Sequence, residues 1–570
     1  MDIIEFKNFS FSYTDHENTL SNININISPG EFVLLCGPSG SGKTTLLSNI
    51  KNEIRPSGNS DGIIYYFGQD IKRLDKTRSA CEIGFLFQDP DQFISDNVLQ
   101  EIAFPLENIG LSSSEIRKRI AEMVAFFGLD KQLHKHINQL SGGEKQLVNL
   151  CSILVLKPKI LLLDEPTSQL DPIAAYELLS ILRRLNEDFS ITIIVTEHRI
   201  NNIFPFIDKA IFLENGKIKF LEPPHKICIK AWKDDIFKNY IPSVAKIHFL
   251  LKSKYDILKE YNIPITIREG KQELNYLEKL NKTHNKSFKE QYTPNNKSSN
   301  ISLYEKDFNN INIKLKNDLI HCKNVWFGYE KDNIVLKGVS LKIGSGEFIS
   351  LVGGNGAGKT TLLQILSGIL KPKKGKINYI KNIKIGYVHQ NPMIHFTQET
   401  VEDELLEPLL KVFNIESKTK NYRNQNQSKI DEFIKLFELS KLLKKHPYDC
   451  SRGEQQKIAI TKVLLTKPNI LFLDEPTKGL DPVSKVNLAY KLKILKKNGL
   501  TIVLTTHDLD FVAEYSERCL LLFDGTIQLD DIPKAIFANN SFYTTSINRL
   551  LKDFLPESIT IKDVEKKWNI

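Results

Sequence analysis

Nine consecutive residues constrain this chain more than any others: Gly37-Pro38-Ser39-Gly40-Ser41-Gly42-Lys43-Thr44-Thr45. They follow the apolar run Glu31-Phe32-Val33-Leu34-Leu35-Cys36 and precede a helical pattern starting at Leu46. A strand, a glycine-rich turn and a helix form the context in which G-x-x-x-x-G-K-[ST] cradles phosphate. Glycines let the backbone curl so that successive N–H groups point inward at phosphate oxygens. The helix that follows adds the positive end of its dipole. Lys43 then reaches the β- and γ-phosphates, and the Thr44 hydroxyl is placed to ligate Mg²⁺.

The pattern occurs twice. Gly353-Gly354-Asn355-Gly356-Ala357-Gly358-Lys359-Thr360-Thr361 is a second phosphate loop, again after an apolar run, Glu347 to Val352. Leu161-Leu162-Leu163-Asp164-Glu165-Pro166-Thr167 returns as Leu471-Phe472-Leu473-Asp474-Glu475-Pro476-Thr477. Ser141-Gly142-Gly143-Glu144 has a cousin in Ser451-Arg452-Gly453-Glu454, and 23 positions separate the Ser from the Asp in both halves. The β-branched runs Ile191–Val195 and Thr501–Leu504 read as buried parallel strands, and Asn22–Ile27 as a strand with one buried face. The expectation is an α/β chain with two P-loop NTPase domains in tandem.

A length of 570 residues exceeds what one core supports. The net charge of +9 is spread over Lys- and Asn-rich segments, which reads as solvated surface rather than a nucleic-acid footprint. No apolar run approaches the length of a membrane span, and Met1-Asp2-Ile3-Ile4-Glu5 lacks a signal-peptide pattern. Seven scattered cysteines without CxxC spacing read as reduced packing residues of a cytosolic protein. Work at a membrane would need a partner to hold the chain there.

The expected organisation is a first nucleotide-binding domain over 1–245 and a helical tail over 246–280. An Asn/Lys/Ser-rich flexible linker over 281–318, a second domain over 319–540 and a second helical tail over 541–570 follow. The tails are paired by likeness: Ile263-Pro264-Ile265-Thr266-Ile267-Arg268-Glu269 resembles Leu555 to Asp563. A helix-patterned region runs from about Val98 to Leu133.

This combination resembles the ATP-binding cassette family over most of the chain. The decisive stretch is Leu140-Ser141-Gly142-Gly143-Glu144-Lys145-Gln146, since a phosphate loop alone occurs in many NTPases. The resemblance implies a RecA-like parallel-sheet core, an antiparallel β subdomain and a helical subdomain in each half, with ATP and Mg²⁺ as cofactors. It implies that Asp164 and Asp474 hold Mg²⁺ with Thr44 and Thr360, and that Glu165 and Glu475 polarise the attacking water. His198 and His507 match the switch histidine. Gln88 and Gln390 match the Q-loop glutamine that senses metal and water. Asp171 and Asp481 fit the D-loop. Tyr13 and Tyr329, expected just ahead of the first buried strands, stand where the family stacks an aromatic ring on adenine. Ser141, Gly142, Gly143, Ser451 and Gly453 would meet the γ-phosphate bound by the opposite cassette.

One departure breaks the symmetry. Arg452 stands where the first copy has Gly142. In the crossed arrangement it would face the ATP held by Lys43, so the Lys359–Glu475 site is expected to be the faster.

Phe87-Gln88-Asp89-Pro90-Asp91-Gln92-Phe93, then Val98 to Phe104, looks like the ATPase component of energy-coupling-factor (ECF) transporters. That likeness implies an importer for a vitamin or metal ion, peripheral to the cytoplasmic face. A transmembrane subunit and a membrane subunit that captures substrate would be the partners, gripped near Glu101 and Glu404. The substrate is not written in this chain. The alternative is a soluble ribosome-associated ATPase of the ABC-F kind. Its usual charged helical-hairpin linker is missing from the Asn-rich tract around Pro294.

Overall fold

A computed structural model describes residues 1–13, 18–89, 91–259, 261–283, 318–330, 333–412, 430–538, 540–541 and 543–569. The expected linker, apart from 281–283 and 318, lies outside the described residues. Two compact units emerge: Met1–Thr266 with the short stretch Gly479–Ser484, and Ile267–Lys478 with Lys485–Ile570.

The first unit supplies β1 (Ile4–Ser12), β2 (Leu20–Ile27), β3 (Phe32–Cys36), β4 (Asn59–Tyr66), β5 (Gln69–Asp70), β6 (Ile83–Leu86), β7 (Ile160–Asp164), β8 (Thr192–Thr196), β9 (Lys209–Glu214) and β10 (Lys217–Glu222). An antiparallel sheet has the order β2-β1-β4-β5. In β2, Ile23, Ile25 and Ile27 are buried while Asn22, Asn24 and Asn26 face outward, the period-two pattern of a half-covered strand. The second sheet has the order β10-β9-β3-β8-β7-β6, parallel from β9 to β6. Strands β3, β7 and β8 are buried at every position because the sheet is covered on both faces. Phe32, Leu34, Leu161 and Leu163 turn to the helix Pro172–Phe189, and Val33, Leu35 and Leu162 turn to the antiparallel sheet.

Between β6 and β7 lies a helical layer: Val98–Asn108, Ser113–Phe127 and Gly142–Leu154. It has its own small core of Val98, Ile102, Val124, Val148 and Cys151.

The second unit repeats the plan with β11 (Asp318–Phe327), β12 (Leu336–Gly344), β13 (Phe348–Val352), β14 (Lys374–Tyr379), β15 (Ile385–Val388), β16 (Ile470–Leu473), β17 (Thr501–Thr505), β18 (Arg518–Phe523) and β19 (Thr526–Asp531). Its main sheet runs β15-β16-β17-β13-β18-β19, the same neighbour order as in the first unit. Of the stretch read as one tail, the helix Ser243–Lys254 belongs to the first unit and the helix Ile267–Thr283 to the second. There it packs on Ser546–Leu551, with Lys271 Nζ 2.7 Å from Asp553. Among the described residues no helix is long and apolar enough to cross a membrane. All seven cysteines are free thiols.

Candidate functional site

Each phosphate turn follows a fully buried strand and opens a helix: Lys43–Ser48 after β3, Lys359–Leu366 after β13. The first helix thus starts at Lys43, one turn earlier than the apolar pattern from Leu46 suggested, because the lysine and threonines are its first residues. Two glycine positions are forced. A Cβ on Gly37 would lie 2.2 Å from the Leu213 carbonyl oxygen, and one on Gly353 would lie 2.3 Å from that of Leu522. Gly42 and Gly358, which cap the two helices, have φ of 96° and 97°, a region that L side chains avoid.

Lys43 is buried, and its Nζ donates to the carbonyls of Gly37 at 2.8 Å and Pro38 at 3.0 Å. Lys359 Nζ donates to Gly353 and Gly354 at 3.1 and 3.0 Å, and also to His507 Nε2 at 3.1 Å. Thr44 Oγ1 donates to Asp164 Oδ2 at 2.8 Å, and Thr360 Oγ1 to Asp474 Oδ1 at 3.0 Å. Both aspartates are buried at strand ends. Burial, with the neighbouring Glu165, pushes the Asp164 carboxyl up.

Two residues that the sequence reading missed hold these acids. Thr196 Oγ1 donates to Asp164 Oδ1 at 2.7 Å and accepts from Glu165 N at 2.8 Å. Thr505 does the same for Asp474 and Glu475, at 2.7 and 2.9 Å. A threonine closing both β8 and β17 was the available signal. Glu165 and Glu475 also share a backbone oddity: their φ values are +45° and +48°. A bulky residue held there is strained, and strain of this kind gathers at functional positions.

Glu165 is engaged on both oxygens. Gln88 Nε2 donates to Oε2 at 2.7 Å, and His198 Nε2 donates to Oε1 at 2.8 Å. In the second unit Glu475 Oε1 lies 3.2 Å from His507 Nε2, and Gln390 makes no hydrogen bond to any described residue. Burial pushes the Glu475 carboxyl up to about 7 against the pull of Lys359.

Tyr13 and Tyr329 follow the half-buried β1 and β11 and precede the fully buried β3 and β13. Both rings are exposed, and both hydroxyls reach the loop: Tyr13 to Thr45 Oγ1 at 3.0 Å, Tyr329 to Thr361 Oγ1 at 3.2 Å. An edge contact with Phe11 and with Phe327 props each ring.

Ser141 and Ser451 cap the helices Gly142–Leu154 and Arg452–Leu464 through reciprocal bonds with Glu144 and Glu454. No hydrogen bond joins Ser141, Gly142 or Gly143 to residues 37–45. Asp171 caps its own helix through Ile173 N and Ala174 N. Asp481, in the stretch that packs with the first unit, accepts from Ser39 Oγ at 2.7 Å and Tyr240 Oη at 2.9 Å. Burial pushes its carboxyl up, but bonds from Ser484 and Ser39 outweigh that and hold it well below the usual carboxylate range.

Glu101 and Glu404 are not an exposed acidic grip. Both are buried. Glu101 Oε2 accepts from Ile94 N and Ser95 N at 3.1 and 2.8 Å, and Glu404 Oε1 accepts from Thr397 N and Gln398 N. Glu404 also meets Lys462 Nζ, which donates to the His395 carbonyl. These carboxylates cinch the loop ahead of their own helix, because its backbone donors have no strand or helix partner.

The residues suit a nucleoside triphosphate with its metal. Lys43 is a buried ammonium that bonds only carbonyl oxygens, with the Asp164 carboxylate near enough to feel its charge but not bonded to it, and Ser41 Oγ is buried without a partner. A buried ammonium that no carboxylate bonds is costly, and phosphate oxygens supply the missing charged acceptors. Thr44 with Asp164, and Thr360 with Asp474, are hard oxygen donors of the kind Mg²⁺ takes, with phosphate and water completing the shell. Such a turn on such a sheet defines the class: a P-loop nucleoside triphosphatase, in two copies.

Comparison with known proteins narrows this. Residues 20–168 and 336–478 match the ABC transporter family. A Bacillus anthracis protein named "Putative ABC transporter ATP-binding protein" is 40% identical over 98% of this chain and 97% of its own. One of the same name from Methanosarcina acetivorans is 32% identical over 94% of this chain and 86% of its own. A solved structure of cbiO1 from Clostridium perfringens, described as part of the ABC transporter complex cbiONQ, is 30% identical over 41% of this chain and 96% of its own, with a TM-score of 0.37. The chain belongs to the ABC transporter ATP-binding family. It is an ATPase of two cassettes, working with ATP and Mg²⁺.

Proposed function

We propose that this chain is the energy-coupling ATPase of an ECF-type importer for a vitamin or metal ion, held at the cytoplasmic face by membrane subunits. The observation that carries the reading is that each unit exposes an isoleucine between its Q-loop glutamine and the helix that follows, although at different positions, since Thr397 and not Ile394 corresponds to Ile94 by the bonds to Glu404 and Glu101. Ile94 is 71% exposed and Ile394 is 62% exposed, each a few residues after the Q-loop glutamine of its unit. A large apolar side chain held out ahead of that helix, by the cinched loop itself at Ile94 and by the short turn Pro392–His395 at Ile394, suits a partner surface. Glu101 and Glu404 keep that loop in shape without meeting the partner.

In this reading Lys43 and Lys359 neutralise the transferring phosphoryl group, with Thr44 and Asp164, and Thr360 and Asp474, holding Mg²⁺. A Mg²⁺ held by these residues would supply charge neutralisation at the phosphate. Glu165 and Glu475 orient the attacking water; His198 Nε2 positions Glu165, and the His507 backbone N–H positions Glu475. ATP binds the closed pair of cassettes better than the open pair, which supplies the work. Having both cassettes in one chain fixes their pairing by effective concentration.

The test is co-purification from membranes of the native source with an Ile94→Asp/Ile394→Asp double variant. The unaltered chain is expected in the membrane fraction with integral subunits, and the double variant is expected to lose them. Sedimentation of the unaltered chain with ribosomes in a sucrose gradient would favour the ABC-F reading instead.

A further inference from the structure

The first unit contains a cavity of about 460 Å³, lined by no residue of that unit's phosphate turn and unused by the chemistry above. Its size falls in the range of small-molecule sites, which is roughly 300–1,000 Å³. Most of its wall is apolar: Ile3, Phe67, Met123, Phe126 and Phe189 all line it. Lys157 and Lys159 line the same cavity, together with one carboxylate, Glu122.

The charge around this wall is unbalanced. Lys159 Nζ lies 5.5 Å from the centroid of the Phe67 ring, and the Arg184 guanidinium lies 4.9 Å from that of Phe126. Glu122 is 3.8 Å from Lys157, and Glu82 is 3.2 Å from Lys159 while also bonding Arg78. The lining itself carries two cations, Lys157 and Lys159, against one carboxylate, Glu122, while Glu115 and Glu82 reach Lys157 and Lys159 from outside it. Cations laid over aromatic rings beside an apolar hollow suit an anion with an apolar tail.

The repeat shows that the fold does not require this arrangement. Counting back from the strand-end aspartates, Asn469 of the second unit stands where Lys159 does. Counting back from the first residues of β8 and β17, Asn498 stands where Phe189 does. Lys159 and one aromatic wall belong to the first copy alone, while Lys157 recurs as Lys467.

The cavity also touches the far ends of elements that build the catalytic centre. Leu154 ends the helix that Ser141 opens, about 20 Å away for a helix of 13 residues. Lys159 leads into β7, which ends at Asp164, and Thr192 opens β8, which ends at Thr196. Met123 and Phe126 come from the helical layer, whereas Thr192 opens β8 and Ile3 immediately precedes β1. A ligand here would tie the helical layer to the sheet.

We infer that this cavity binds an amphipathic monoanion, an unbranched carboxylate with an apolar tail, and that its occupancy alters the ATPase rate. The carboxylate meets Lys157 and Lys159, and the tail lies against Phe67, Phe126 and Phe189.

Decanoate titrated calorimetrically into the full-length chain tests this, with decanol as the uncharged control. Saturable decanoate binding is expected, weakened about tenfold or more by Lys159→Asn and by Phe189→Asn, the residues the second unit carries. Decanol should bind at least about tenfold less tightly, and saturating decanoate should shift the ATPase rate of the unaltered chain about twofold. No saturable binding, equal binding of decanol, equal affinity in both variants, or an unchanged rate at saturation would each overturn the inference.

Discussion

Lys359 Nζ donates to His507 Nε2 at 3.1 Å, so that nitrogen carries no proton for Glu475 Oε1, 3.2 Å away. A lysine ammonium has donors only, so the histidine must accept. The first unit is wired differently: His198 Nε2 donates to Glu165 Oε1, while Gln88 donates to Oε2. The two glutamates occupy matching positions in the repeat but are not equivalent. Glu165 is held by two side-chain donors, whereas Glu475 has the His507 backbone N–H and its Oε1 faces a lone pair.

That difference sharpens the asymmetry expected from Arg452. A glutamate that orients water must first release its present donors, and Glu165 has more to release. Glu475→Gln is expected to cut steady-state ATPase about 10²-fold or more, the usual scale for losing a catalytic carboxylate. Glu165→Gln should cost distinctly less. Equal losses in a side-by-side phosphate-release assay would show that both sites turn over alike.

Gly37→Ala tests the phosphate turn by sterics alone. The new methyl would sit 2.2 Å from the Leu213 carbonyl oxygen, which lies in β9 and cannot withdraw without breaking the sheet. The turn must open instead, so its N–H groups no longer converge. Loss of ATP binding in the first unit is expected, with the second unit still binding. A fluorescent nucleotide titration should show the stoichiometry fall by half.

Much of this was legible because it is local. The phosphate turns, the apolar strands that lead into them and the acidic pairs at strand ends are short contiguous patterns set by backbone geometry. The roles of Glu101 and Glu404 were not legible. An acid in the first turn of a helix looks like a surface residue that favours the dipole. Only the fold shows the preceding loop turning its N–H groups onto it. The positive φ of Glu165 and Glu475 was equally hidden, since no residue type announces it there. Thr196 and Thr505 could have been found, because each closes a buried strand in register with the other.

The buried carboxylates yield a stability ordering. Glu404→Ala leaves Lys462, close to both Glu404 and Glu407, with half its counter-charge gone, and leaves Thr397 N and Gln398 N without their acceptor. Breaking one side of a buried ion pair typically costs about 3–5 kcal/mol. Glu101→Ala strands only the backbone donors of Ile94 and Ser95, and leaving buried donors unmet costs about 1–3 kcal/mol. Urea unfolding should therefore place Glu404→Ala below Glu101→Ala. The reverse order would mean that Lys462 finds another partner at little cost.

His395 makes the second unit sensitive to acid. Its Nε2 accepts from His389 N at 3.0 Å, so protonation destroys the bond. Burial, reinforced by the charge of Lys462, lowers its pKa to about 4 from an ordinary 6.5. Between those values the unfolded chain binds more protons than the folded one, so stability rises with pH through that window. It is lost as pH falls from about 6.5 toward 4, by at most about 1.4 kcal/mol per pH unit for one proton. His395→Phe should be less stable near neutrality, because His389 N loses its acceptor, yet its unfolding midpoint should fall less steeply with acid. The readout is the difference in slope between the two proteins from pH 7 to pH 4.5, since other groups titrate in both. Parallel slopes would assign the acid sensitivity to other residues.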